Sequence, residues 1–331
     1  MYHAEQGLKA EVIPLIDLSD FNDATARIAI SANIRAACLS VGFFLIKGHG
    51  VPKEICDAAA AASRRYFALP EEERIKDLID PRFRRGFMPS SDGQREVLES
   101  FELSLDLPLD DPDVMAGHFL HGPNRWPADK PWLHEAVEPY RQAVLALGER
   151  LERLFALSLD LDENYFVELC RKPTFHLRLM HNMPQTEEEK KDHMAVGEHT
   201  DFGMLTILMQ DPNGGLEVQT RDGEWVKAPY VEDTFVINVG DMLELWTNNL
   251  YVSTPHRVIG LTGQDRYSIP AFFSPSFDTL VECIPSCLAP GEKPKFAPLQ
   301  GGEYLTQRLS RESDKVSDEY EGVGGHRKLA I

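Results

Sequence analysis

Glu198-His199-Thr200-Asp201-Phe202 stands directly before the apolar run Leu205-Thr206-Ile207-Leu208-Met209. On an extended chain, side chains two apart point the same way, so the His199 imidazole and the Asp201 carboxylate can close on one metal ion. Alone the pair is a weak signal, because a hydrogen-bonded His and Asp at that spacing is commonly structural. The third ligand candidate is His256, 55 residues past Asp201 in Ser253-Thr254-Pro255-His256-Arg257-Val258, which again reads as a strand. Two imidazoles and one carboxylate on one face of an octahedron leave three positions open. Iron(II) needs those positions to take a chelating cosubstrate and O2 together.

Ten residues beyond His256 comes Arg266-Tyr267-Ser268, a second pair two apart on a strand. It sets a guanidinium beside a hydroxyl. Arg grips a carboxylate in a fixed two-pronged geometry and Ser adds one hydrogen bond. A metal triad next to a carboxylate clamp is the layout for binding 2-oxoglutarate, its keto-acid end on the metal and its distal carboxylate on Arg266 and Ser268. Two other readings stay open. One is an iron-dependent oxidase of the isopenicillin N synthase type, which does not use 2-oxoglutarate and binds substrate on the same Arg and Ser. The other is a non-catalytic jelly-roll binding protein whose triad holds zinc or nothing.

These residues need a sheet to hold them, and from about Pro173 the apolar pattern alternates as a sheet requires. Candidate strands are 174–180, 204–209, 215–220, 224–228, 234–239, 242–246, 252–259, 266–273 and 279–284. Arg221-Asp222-Gly223 is a hairpin turn, since Asp-Gly supplies the positive φ that tight hairpins need. Many short strands with Gly and Asn turns predict a sandwich or jelly roll. Residues 1–172 read as mainly helical, with short apolar runs at Val12 to Leu18 and Val41 to Ile46, and a helix from Lys53 to Ala68. The clearest helix spans about 135 to 158, where Val137, Tyr140, Val144, Leu147, Leu151 and Leu154 recur in steps of three and four. Residues 173–290 form the expected catalytic core, and 291–331 a short helix near 303–311 and a polar tail around Glu321 to Gly325. The whole is one domain of mixed α and β class.

With 331 residues, 43% of them hydrophobic, the chain can bury a full core. Its net charge of −19 argues against a general nucleic-acid or anionic-membrane surface, so the expected partner is a small-molecule substrate. Oligomeric state is left open. The cysteines Cys38, Cys56, Cys170, Cys283 and Cys287 are odd in number, scattered and without a C-x-x-C pair, which reads as reduced thiols. No basic-then-apolar leader starts the chain and no apolar run approaches a membrane span. A cytoplasmic protein is expected.

The sequence resembles the isopenicillin-N-synthase-like branch of the 2-oxoglutarate and iron(II) oxygenases, over roughly residues 11 to 310. The likeness lies in Val12-Ile13-Pro14-Leu15-Ile16-Asp17-Leu18, Gly42 to Val51, Phe67 to Glu73 and Gly122-Pro123-Asn124-Arg125-Trp126-Pro127. Toward the C-terminus it lies in His199-Thr200-Asp201, His256-Arg257-Val258 and Arg266-Tyr267-Ser268, in the family's order. The fold this implies is a double-stranded β-helix, a jelly-roll core, with flanking N-terminal helices. The activity it implies is oxidation, by default hydroxylation, of a small organic molecule using Fe(2+), O2 and 2-oxoglutarate, with release of succinate and CO2. No separate catalytic acid or base is required.

Leu177 to Pro184 is similar to a family strand that usually carries Tyr where Asn182 stands, which predicts a roomier, more polar pocket beside the metal. Arg178 matches an Arg that in the ethylene-forming enzyme contacts the metal-bound end of 2-oxoglutarate. A barrel carboxylate is its plainer partner. Asn182, Phe202, Phe273 and Phe101 are substrate-pocket candidates, with Trp246 and Phe272 in the same aromatic set. Aromatics on barrel strands are nonetheless more often core. His49, His118, His121, His134, His176, His181 and His193 read as structural. Arg82 to Phe87 borders the substrate entrance in this family or is a solvated basic loop, and Glu187 to Asp192 is an exposed loop.

Overall fold

The computed structural model describes residues 13–90, 98–188, 194–261 and 263–313. The amino-terminal reading, His193, residues 189–192 of the acidic loop and the polar tail from 314 lie outside the described residues.

Two facing sheets form the core. The larger has eight strands, in the order β1 (Leu15–Asp17), β2 (Phe43–Lys47), β10 (Phe235–Val239), β7 (Leu205–Met209), β12 (Arg266–Ser276), β5 (Pro173–Asn182), β4 (Leu98–Ser104), β3 (Gly86–Met88). The smaller runs β6 (Val196–His199), β11 (His256–Val258), β8 (Leu216–Gln219), β9 (Trp225–Lys227). Sheet formation does not wait for residue 173, since β1 to β4 all precede it and supply both edges of the larger sheet. Their apolar runs are short, and in three of these four strands fewer than six residues pair.

Strand pleat divides the molecule into two cores. Phe43 and Leu45 of β2, Val236 of β10 and Leu208 of β7 meet Leu216, Val218, Val226 and Val258 of the smaller sheet. Their alternates, Phe44, Ile46, Ile237 and Ile207, face the helices. Those helices are α1 (Ala24–Ser40), α2 (Lys53–Phe67) and α3 (Pro131–Ser158). The Asp23 side chain caps α1 by accepting from the Ala26 amide at 2.8 Å, which satisfies one otherwise unpaired donor. The stripe Val137, Tyr140, Val144, Leu147, Leu151, Leu154 on α3 is wholly buried, each aliphatic side chain stabilising by about 1.5–3 kcal/mol. Gly148 completes this contact, since a Cβ there would lie 2.2 Å from the Phe273 ring.

One expected strand is a helix. Residues 242–246 belong to α4 (Asp241–Trp246), where Met242, Leu243, Leu245 and Trp246 are all buried. So short and apolar a run has too few residues for its period to distinguish strand from helix, and Met, Leu and Glu favour the helix. The predicted strand 252–259 shortens to β11, and 279–284 to a two-residue bridge, Leu280–Val281, against Leu299–Gln300. The C-terminal helix α5 runs Gly301–Ser313.

Candidate active site

His199 ends β6 and pairs across the small sheet with His256 of β11. Asp201 follows His199 by two residues. The three side chains converge, with Asp201 Oδ1 at 3.7 Å from His199 Nε2 and 3.6 Å from His256 Nε2. Each ring's other nitrogen faces a backbone carbonyl, His199 Nδ1 that of Gly197 at 2.8 Å and His256 Nδ1 that of Thr254 at 3.1 Å. An N–H donated there fixes the tautomer and leaves both Nε2 lone pairs directed at Asp201. Burial, and then repulsion from His199, pushes the His256 imidazole well below its ordinary value. Phe43 packs edge-on against that ring, centroids 5.2 Å apart. Two imidazoles and a carboxylate are donors suited to iron(II).

Asp201 is buried, which opposes its charge, yet the two imidazoles, Asn238 and Thr206 together hold its carboxyl below the usual range. Asn238 Nδ2 and Thr206 Oγ1 both donate to Oδ2, at 2.7 and 2.5 Å. They are cross-strand partners on β10 and β7. Oδ2 is thus engaged by two donors, and Oδ1 is the oxygen that faces the two imidazoles. Neither supporting residue was singled out from sequence, although each is a polar residue inside an apolar strand, a pattern that asks for a buried partner.

Arg266 begins β12, opposite Asn182 of β5, with Ser268 opposite Met180. Arg266 is 2% exposed. Its Nε donates to the Gly214 carbonyl at 2.7 Å, and Nη1 to Ser268 Oγ and Asn182 Oδ1, both at 3.1 Å. Burial lowers the guanidinium to about 10, so it stays a cation at neutral pH. Among the described residues no carboxylate lies within ion-pair distance of it. Gly215 stands between Arg266 and the strand of His256, since a Cβ on it would be 3.5 Å from both Arg266 Cδ and Val258 Cγ1. Val258 is two residues from His256 on β11.

Asn182 is therefore engaged twice, accepting from Arg266 and donating from Nδ2 to the Ala195 carbonyl at 3.0 Å. It braces the clamp. Arg178, four residues back on the same face of β5, donates from Nε to Glu102 Oε1 at 2.9 Å and from Nη2 to Ser100 Oγ at 3.3 Å. Its side chain is 20% exposed, while Glu102 is fully buried and also touches His176. Burial opposes the Glu102 charge, but Arg178 and His176 outweigh it and hold the carboxyl far below its ordinary value. The plainer partner expected for Arg178 is present, and Glu102 is a site residue that the sequence did not disclose.

The aromatic candidates divide by pleat. Phe101 pairs with Leu179 and Phe273 with Phe175, all in the helix-facing core, so both point away from the triad. An alternation counted one residue out accounts for the error. Phe272, the neighbour of Phe273, lies on the Arg178 side, 6.1 Å from the His176 ring. Trp246 packs outside, on Phe166. Phe202 follows Asp201 and sits under the Arg308 guanidinium of α5, 4.2 Å from its ring centre.

The remaining described histidines have structural partners. His181 lies between Glu99 and Asp265, at 2.8 and 2.7 Å, stacked on Tyr267. His49 meets the Asp233 carbonyl, His121 the Phe119 carbonyl, and His134 the Trp126 ring. His118, with Asp113 and Asp278, makes a second group of possible donors. Lys172 already neutralises Asp113 there. In the basic loop, Arg85 is fully buried and donates to the Leu120 carbonyl at 2.7 Å, so it is not solvated.

Two imidazoles and one carboxylate converging on a double-stranded β-helix are the donor set of the mononuclear non-haem iron oxygenases. Residues 173–275 match the 2OG-Fe(II) oxygenase superfamily, and residues 13–129 match the non-haem dioxygenase in morphine synthesis N-terminal family. The chain is 35% identical over 303 residues to the 2-oxoglutarate-Fe(II) type oxidoreductase hxnY of Emericella nidulans, covering 86% of each. It is 36% identical over 304 residues to the clavatol oxidase claD of Penicillium crustosum, covering 83% of this chain and 89% of that one. A full-length Neurospora crassa protein, crystallised in complex with alpha-KG and thymine, superposes with a TM-score of 0.81 at 28% identity, over 91% of this chain and 97% of that chain. The chain belongs to the 2OG-Fe(II) oxygenase superfamily. It is a 2-oxoglutarate-dependent oxidoreductase that uses Fe(2+), with 2-oxoglutarate and O2 as cosubstrates. No helix among the described residues is long and apolar enough to cross a membrane.

Proposed function

We propose that His199, Asp201 and His256 hold the iron(II), and that Arg266 with Ser268 grips the distal carboxylate of 2-oxoglutarate while a small organic substrate is hydroxylated alongside. One observation carries this reading: Arg266 is a fully buried cation on the inner wall with no carboxylate partner among the described residues. Buried charges are costly unless paired, and a bound dicarboxylate supplies the missing partner. Iron held there would supply O2 activation and the oxidative decarboxylation of the keto acid to succinate. The protein's own groups do the rest. Asn182 and Ser268 aim the guanidinium, Thr206 and Asn238 aim Asp201, and Arg178 offers a partly exposed cation to the cosubstrate or substrate. Five unpaired thiols fit a reducing, cytoplasmic setting.

The test is a screen of small molecules read by succinate release, repeated with His256→Ala and Arg266→Ala. His256→Ala should lose both turnover and iron affinity while remaining folded. Product formed without stoichiometric succinate would favour an oxidase that uses Arg266 for its substrate. Wild-type iron affinity in the His256 variant would remove the third ligand.

A further inference from the structure

The C-terminal helix touches the metal-ligand loop at two places. Tyr304 donates its hydroxyl to Asp241 Oδ2 at 3.0 Å, and the Arg308 guanidinium covers the Phe202 ring at 4.2 Å. Phe202 is the next residue after Asp201. Asp241 heads α4, and its amide donates to the Asp201 carbonyl at 2.7 Å. Two more bonds lock the same junction, Gly240 N to Met204 O at 2.9 Å and Met242 N to Gly203 O at 3.0 Å. The backbones meet with no room to spare, since a Cβ on Gly240 would stand 2.3 Å from Gly203 O and 3.0 Å from Asp201 O.

We propose that α5 is a latch on the metal-ligand loop, with Tyr304 and Arg308 as positioning residues that set the Asp201 segment through Asp241 and Phe202. This rests on the metal-site reading above. Groups that orient a ligand commonly change metal affinity by tenfold or more. A latch that raises affinity must in turn be held shut by the metal, because coupling between two sites is reciprocal. A helix that merely packed on the barrel would lose stability when altered without changing metal affinity.

The experiment uses the full chain and cobalt(II) alone, titrated without 2-oxoglutarate, with hydrogen exchange followed across residues 301–309. Tyr304→Phe and Arg308→Ala should each weaken cobalt(II) binding by roughly tenfold. Arg308→Lys, which keeps the cation over the ring, should recover most of it. Glu303→Gln, an exposed change in the same helix, should leave it unaltered. Cobalt(II) should slow exchange of the α5 amides in the wild type. Unchanged affinity in both latch variants, or exchange indifferent to cobalt(II), overturns the latch while His256→Ala still abolishes binding. If His256→Ala binds cobalt(II) as the wild type does, the metal-site reading itself fails and the latch with it.

Discussion

Asn238 donates to Asp201 Oδ2 at 2.7 Å, from a strand that neither ligand histidine belongs to. Thr206 donates to the same oxygen from the adjacent strand. Together they hold Oδ2 and leave Oδ1 facing His199 and His256. Asn238→Ala and Thr206→Val should each weaken iron(II) binding by about 10- to 100-fold. Thr206→Ser should keep near-normal affinity. Equilibrium titration under anaerobic conditions measures this, and wild-type affinity in both variants would show that Asp201 is set by its backbone alone.

The clamp separates into unequal parts. Arg266→Ala should raise the 2-oxoglutarate concentration needed for half-maximal succinate release by roughly one to two orders of magnitude, since it loses a charge-assisted pair. Ser268→Ala removes one neutral hydrogen bond and should cost only several-fold. Saturation curves for the three proteins decide the matter. Coincident curves for wild type and Arg266→Ala would remove the clamp.

Asn182 belongs with the clamp in the structure, so its variants should act on the cosubstrate. Asn182→Ala frees the guanidinium from one acceptor and leaves the Ala195 carbonyl short of a donor. The expected result is a several-fold higher 2-oxoglutarate requirement, with substrate-free decarboxylation and coupled turnover falling together. A loss confined to coupled turnover would return Asn182 to the substrate pocket.

Glu152 on α3 is 4% exposed, and burial pushes its carboxyl up to about 8 from an ordinary 4.5. The unfolded chain releases this proton near 4.5 and the folded chain holds it until about 8. The unfolded state therefore binds fewer protons between those values, and stability falls as pH rises through that window. Glu152→Gln should be neutral at pH 4 and stabilising by up to about 4 kcal/mol at pH 8. Urea unfolding of both proteins at the two pH values checks it. Equal differences at both would place the Glu152 carboxyl back in the ordinary range.

Local spacing singled out two pairs of the proposed site, while His256 stands 55 residues past Asp201. His199 and Asp201 are two apart, as are Arg266 and Ser268, and chemistry that depends on neighbours in one strand is written in adjacent residues. The helical stripe of 137–154 was equally legible, because the 3.6-residue period repeats over several turns. Tertiary structure alone decided which groups meet across strands. Glu102 reaches Arg178 from 76 residues away and Asn238 reaches Asp201 from 37. Sheet order, here β10 beside β7 and β4 beside β5, sets these meetings, and no local pattern encodes it. Phe273 was legible, because it lies an odd number of residues from Arg266 on one strand and so faces the other way. Phe101 had no such reference residue on its strand, and the helix at Asp241–Trp246 is too short and too apolar for its period to be read.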